Sequence, residues 1–166
     1  ANEICLRNNM FTDTSSGISI MEIRSKAKKL KLKYGLDAVF IDHIGLLTPS
    51  NPKASRNEQI GEITRQAKIM AKELDVAVIL LSQLNRGTEG RSEKRPQLGD
   101  LRESGNIEQD ADLVMGVYRD EYYNPSTDSK DTMEVIVLKQ RDGKTGSVPL
   151  EYKAQYQLVQ EKWGRK

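Results

Sequence analysis

Val76-Ala-Val-Ile-Leu-Leu81, followed at once by Ser82-Gln83, is the stretch that decides the fold. It is short, uninterrupted and apolar, as expected of a buried strand. Upstream, Ala38-Val-Phe-Ile41 has the same character and ends in Asp42. Such runs are expected of strands covered on both faces. Between the two runs, Ile60, Ile63, Ala67, Met70 and Leu74 recur at three-four spacing and predict a helix. Ser55 and Glu58 have the spacing of a capping box that would start it. Residues 48–57, rich in Pro, Asn, Ser and Lys, read as a loop.

Toward the N-terminus, Ser19-Ile-Met-Glu22 is another capping box. It opens the stripe Ile20, Ile23, Ala27, Leu30 and Tyr34, and Gly35 suits a left-handed end cap. Met10-Phe11 reads as the end of a small strand. Downstream, residues 85–97 are polar, contain Gly87, Gly90 and Pro96, and are expected to be mobile. Leu113-Val-Met-Gly-Val-Tyr118 predicts a third strand, and residues 122–131 a polar connection. Residues 133–138, 147–152 and 157–159 predict a closing meander. Early alternation of helix and strand with late hairpins predicts an α/β fold. Its sheet is mostly parallel, with helices on the faces and an antiparallel C-terminal edge.

The 166 residues fit one domain with one sizeable core. Hydrophobic residues at 37% against 30% charged mark a folded rather than disordered chain. No apolar run is long enough to span a bilayer, and no signal peptide is expected. The single Cys5 rules out an internal disulfide and fits a reducing, cytoplasmic compartment. One Cys and one His argue against structural zinc. Net charge is +2, yet Arg24, Lys26, Lys28, Lys29, Lys31 and Lys33 cluster. A solvated helix face is the plain reading of that cluster, and a nucleic-acid patch the sharper one.

Several polar groups fall where strands end. Ligands of open parallel sheets collect at the carboxyl ends of strands. Asp42 there can hold Mg²⁺, directly or through water, although an Asp leaving a strand is also an ordinary turn residue. Gln83 can meet a γ-phosphate or orient water, or simply satisfy loop backbone. Lys139 and Arg141 alternate in an extended segment, so both point to one side and suit a transferring phosphoryl group. A basic hairpin tip is the competing account. Asp142-Gly-Lys-Thr145 imitates the end of a phosphate-binding P-loop, but Leu138 stands where that loop needs Gly. It reads as a hairpin turn.

These segments resemble the RecA-like C-terminal domain of DnaB-type replicative helicases from about Phe11 to Tyr152. The likeness is strongest in Val39-Phe-Ile-Asp-His-Ile-Gly-Leu-Leu47, Leu80-Leu-Ser-Gln-Leu-Asn-Arg86 and Leu138-Lys-Gln-Arg-Asp-Gly143. Its most specific block is Asp100-Leu-Arg-Glu-Ser-Gly-Asn-Ile-Glu-Gln-Asp-Ala-Asp112. The resemblance implies a hexameric motor that uses ATP and Mg²⁺ to move along single-stranded DNA and unwind it. It makes Asp42 the Walker B aspartate and Mg²⁺ ligand, and Gln83 the phosphate-sensing glutamine. Lys139 and Arg141 become finger residues that reach a neighbouring subunit's ATP site. Arg102, Glu103 and Gly105 become the loop that touches DNA backbone. His43 replaces the usual Tyr and is expected to pack rather than catalyse.

No Gly-x-x-x-x-Gly-Lys-Ser/Thr loop occurs among these residues. The chain is therefore expected to be one incomplete RecA-like domain, residues 1–166, from Walker B onward. Alone it is expected to bind ATP weakly and to lack ATPase activity. The strands near Val76 and Leu113 would lack a neighbour, which predicts rearrangement, close pairing of the remaining strands, or self-association. Helicase loader and primase are the implied protein partners. The alternative function is a non-catalytic module that binds single-stranded DNA or a replication protein. With aromatics at 5%, such binding would rest on DNA backbone rather than on stacking. A RecA-type recombinase or circadian-clock ATPase would share the sheet but not the block from Asp100 to Asp112.

Overall fold

Ser19 and Glu22 form the expected capping box, and helix α1 runs Ile20–Tyr34. It ends at Gly35, whose φ of 78° favours glycine. Ser55 and Glu58 start helix α2, Arg56–Leu74, in the same way. Asp75 closes it in the left-handed conformation, with φ 48°. The described residues of this computed structural model are 4–5, 10–85, 87 and 90–162, with backbone alone at 4–5 and 102–104. They fall into two compact units, Ala1–Gln83 and Leu84–Lys166.

In the first unit, strands β1 (Ile4–Cys5) and β2 (Met10–Phe11) pair antiparallel. Strands β3 (Ala38–Ile41) and β4 (Ala77–Leu80) pair parallel, in the register Ala38↔Ala77 to Ile41↔Leu80. Helix α2 packs on both α1 and β4. Ile63 and Met70 of α2 are 1% and 0% exposed, and Ile20, Ala27, Ile41 and Ile44 join them in the core. The strands were expected to be covered on both faces. Instead Phe40 is 71% exposed while its neighbour Ile41 is buried, so only one face of β3 is covered.

The basic run on α1 is largely paired. Arg24 and Lys28 meet Glu73, and Lys26 meets Asp13. Lys31 Nζ donates to the carbonyls of Leu36 and Asp75, both at 3.1 Å. The cluster thus takes the form of a salt-bridged helix face.

The second unit is built on a four-stranded antiparallel sheet, in the order β5 (Leu113–Tyr118), β6 (Thr132–Gln140), β7 (Gly146–Lys153), β8 (Leu158–Glu161). Among the described residues β3–β4 is the one parallel pair, so antiparallel pairing extends further than an edge. Residues 141–145 form the expected hairpin turn between β6 and β7. Val114 and Tyr118 face inward, whereas Met115 and Val117 are 54% and 61% exposed. The block expected as a loop is helical: 3-10 turns over Leu98–Ser104, kinked at Leu101, lead into helix α3, Gly105–Asp110. Its start is fixed by Asp100, whose carboxylate accepts from the Gln97 N–H at 2.7 Å. A short helix α4, Asp120–Tyr123, begins the connection to β6.

Candidate functional site

In the first unit the site grows from the parallel ladder. Ile41 and Leu80 are register partners, so Asp42 and the segment Leu81 to Gln83 leave the same edge. The Leu81 N–H donates to Ile41 O and the Ile44 N–H to Leu81 O, each at 3.0 Å. Those two bonds tie the turn after β3 to the end of β4. The Asp42–His43 peptide is cis. Asp42 and Gln83 are both exposed, and neither side chain makes a hydrogen bond among the described residues. A hard carboxylate oxygen presented in this way fits Mg²⁺, which takes one or two carboxylates and keeps waters or phosphate oxygens as its other ligands. His43 packs: a Cβ at Gly45 would come within 2.8 Å of its Nε2.

In the second unit the stretch expected to be mobile is held between Arg91 and Gln97. Arg91 grips Asp100 with both terminal nitrogens, Nη1 to Oδ1 at 2.7 Å and Nη2 to Oδ2 at 2.9 Å. It also donates to the carbonyls of Glu93 and Arg95. Asp100 is 9% exposed, so this fork shields its charge in the interior. Buried Pro96 lies against Gly116, where a Cβ would come within 2.7 Å of the proline Cβ. Arg95 pairs with Glu134, which also accepts from Ser147 Oγ at 2.7 Å. Burial raises the Glu134 carboxyl, but the Ser147 and Arg95 bonds outweigh it, and the group sits below its ordinary value.

Lys139 and Arg141 both turn to the C-terminal end of α3. Lys139 Nζ donates to Ala111 O at 2.8 Å and also to Glu108 O. Arg141 Nη2 reaches Gln109 O at 3.4 Å, and Nη1 lies 3.3 Å from Asp112 Oδ1. The two cations are thus brought to one carbonyl cluster. Gly105, the first residue of α3, is exposed. The side chains of Arg102 and Glu103 lie outside the described residues.

A cleft of about 210 Å³ in this unit has no counterpart in the sequence reading. Tyr118, Arg119, Tyr122 and Tyr123 are among its lining residues. Arg119 lies over the Tyr152 ring at 4.2 Å, and its buried Nε has no hydrogen-bond partner among the described residues. Burial and the bond to Asp120 push the Tyr118 hydroxyl up to about 12, so it stays a neutral donor. Only side-chain contacts between distant segments reveal this cleft. Local spacing carries no signal for it.

Comparison with known proteins gives one answer. The model of the DnaB-like helicase C terminal domain matches residues 1–161. The replicative DNA helicase DnaC of Bacillus subtilis is 45% identical over 150 residues, which are 90% of this chain and 33% of that protein. The replicative DNA helicase DnaB of Geobacillus stearothermophilus is 43% identical over 148 residues, 89% and 33% of the two chains. A solved ATPase domain superposes with a TM-score of 0.85 at 46% identity, over 87% of this chain and 52% of that one. A solved DnaB-like replicative helicase, described with its interactions with primase, gives 0.84 at 46% identity, over 87% and 36%. The chain spans about a third of the length of these curated relatives. The expected RecA-like α/β fold is borne out by the solved neighbours. The chain belongs to the family of DnaB-like helicase C-terminal domains.

Proposed function

We propose that this chain is the later part of the motor domain of a replicative DNA helicase, which couples ATP hydrolysis to movement along single-stranded DNA and to duplex unwinding. Its two units are consecutive parts of one incomplete RecA-like domain, and the intact protein works as a ring of six in the cytoplasm. Asp42 holds Mg²⁺, directly or through water, and acts on the attacking water. Gln83 reads the γ-phosphate. Bound Mg²⁺ supplies charge neutralisation on the phosphate oxygens. Lys139 and Arg141 serve the ATP site of the neighbouring subunit, where cations stabilise charge on the transferring group. Arg102, Glu103 and Gly105 meet the DNA backbone, and glycine permits close approach of a phosphate there. Primase and a helicase loader are the protein partners.

The observation that carries this reading is the parallel β3–β4 pair, from which Asp42 and Gln83 leave at one edge, with no side-chain hydrogen bond among the described residues. These 166 residues alone turn over ATP poorly, because they contain no Gly-x-x-x-x-Gly-Lys-Ser/Thr cradle of backbone amides. The test uses the full-length protein on a forked duplex. Asp42→Asn should lower ATP turnover by at least about a hundred-fold and abolish unwinding. Binding to single-stranded DNA should persist and weaken steeply with salt. Normal unwinding by Asp42→Asn sinks the proposal.

A further inference from the structure

We infer that the C-terminal end of α3 is a holding point for Lys139 and Arg141, with Asp112 as the positioning residue, so that both cations leave it before they act on a neighbouring subunit. This rests on the finger role proposed above for the two cations.

The last carbonyls of a helix have no partner within it, and cations are favoured beside them. In α3 the Ala111 N–H closes the last turn on Ile107 O at 3.0 Å. The carbonyls of Glu108, Gln109 and Ala111 go to the two cations instead. Asp112 adds a charge to this cluster, 3.3 Å from Arg141 Nη1, and its carbonyl accepts the Arg141 N–H at 2.9 Å. A second feature aims the cations there. The β5–β6 register slips between Val114 and Met115, from Val114↔Lys139 to Met115↔Val137, which leaves Leu138 as an extra residue. Such a bulge re-aims the side chains beside it.

The hold is suited to release. The side chains of Arg141 and Asp112 are 52% and 59% exposed, so water competes for both. The six residues of α3 span only about 9 Å. Gly105, in the turn proposed above to meet DNA, is therefore one short helix away from the held cations. A shift of that turn moves the carbonyls that grip Lys139 and Arg141. DNA binding and release of the finger become two effects of one displacement.

The experiment measures ATP turnover by the full-length protein with and without a single-stranded oligonucleotide. Asp112→Asn keeps the shape and removes the charge, and Asp112→Ser is a second variant should the first fold poorly. Either should raise DNA-free turnover about two- to five-fold, the range within which a partly exposed ion pair shifts an equilibrium, and lower the DNA stimulation ratio to match. Asp112→Glu should restore the wild-type ratio. An unchanged ratio in Asp112→Asn and Asp112→Ser overturns the holding role, as does an equal change in Asp112→Glu. Arg141→Ala separates the two readings. Full turnover in that variant defeats the finger role itself, whereas lost turnover beside an unchanged Asp112→Asn ratio defeats the holding role alone.

Discussion

The two units present their candidate site residues in opposite ways. In Ala1–Gln83 helix α2 packs on α1 and β4, Met70 is fully buried, and Asp42 and Gln83 stand at the sheet edge with no side-chain hydrogen bond among the described residues. In Leu84–Lys166 the sheet leaves Met115 and Val117 open. There the cations of interest are engaged: Lys139 and Arg141 by helix-end carbonyls, Arg91 by Asp100, Arg95 by Glu134. The contrast follows from chemistry. On the roles proposed above, a carboxylate that is to hold a metal and an amide that is to read a phosphate gain from being unengaged. On the same proposal, a cation that is to act on a neighbouring subunit finds an interim acceptor within its own chain.

The sharpest way to break this contrast is to damage one core and watch both units. Met70→Ala should destabilise the first unit by about 2–5 kcal/mol. Amide hydrogen exchange should quicken in β3 and β4 and stay slow in β6 and β7. Equal loss in all four strands would show that the units unfold as one body. The reciprocal change is Gly116→Ala, which forces a Cβ against Pro96. It should cost about 1–3 kcal/mol and loosen β5 and the Arg91–Gln97 stretch, leaving β3 and β4 unchanged. No effect on the second unit would mean that the proline contact does not order it.

The smallest expected effect is a pH dependence. The folded Glu134 sits below the ordinary glutamate value of 4.5, so its contribution is complete above that pH. It is lost as pH falls through the lower folded value. The Arg95–Glu134 pair is partly exposed, so the change should be about 1 kcal/mol or less. Thermal unfolding below pH 4.5 should reveal it, and Glu134→Gln should flatten the curve for the second unit only. An unflattened curve would place the acid sensitivity elsewhere.

What was legible in the sequence was local. The boxes Ser19/Glu22 and Ser55/Glu58 start their helices because each needs residues three apart. The joint edge of Asp42 and Gln83 follows from two apolar runs that pair in parallel. The rest depended on distance along the chain. Lys139 meets Ala111 across 28 residues and Arg141 meets Gln109 across 32, and no pattern of spacing announces either. The helical form of 105–110 was hidden by its opening Gly105 and polar composition, and Asp100 reveals its capping only in three dimensions. The open face of β3 was missed because an apolar run reads as covered on both sides until the helices are counted.

The central claim is that Asp42 and Gln83 act together on one nucleotide. A double-mutant cycle on ATP turnover by the full-length protein tests it most directly, with Asp42→Asn, Gln83→Ala and the combined variant. Each single change should lower turnover, and the pair should be little worse than Asp42→Asn alone. Losses that multiply as independent factors, or a fully active Gln83→Ala, would contradict it.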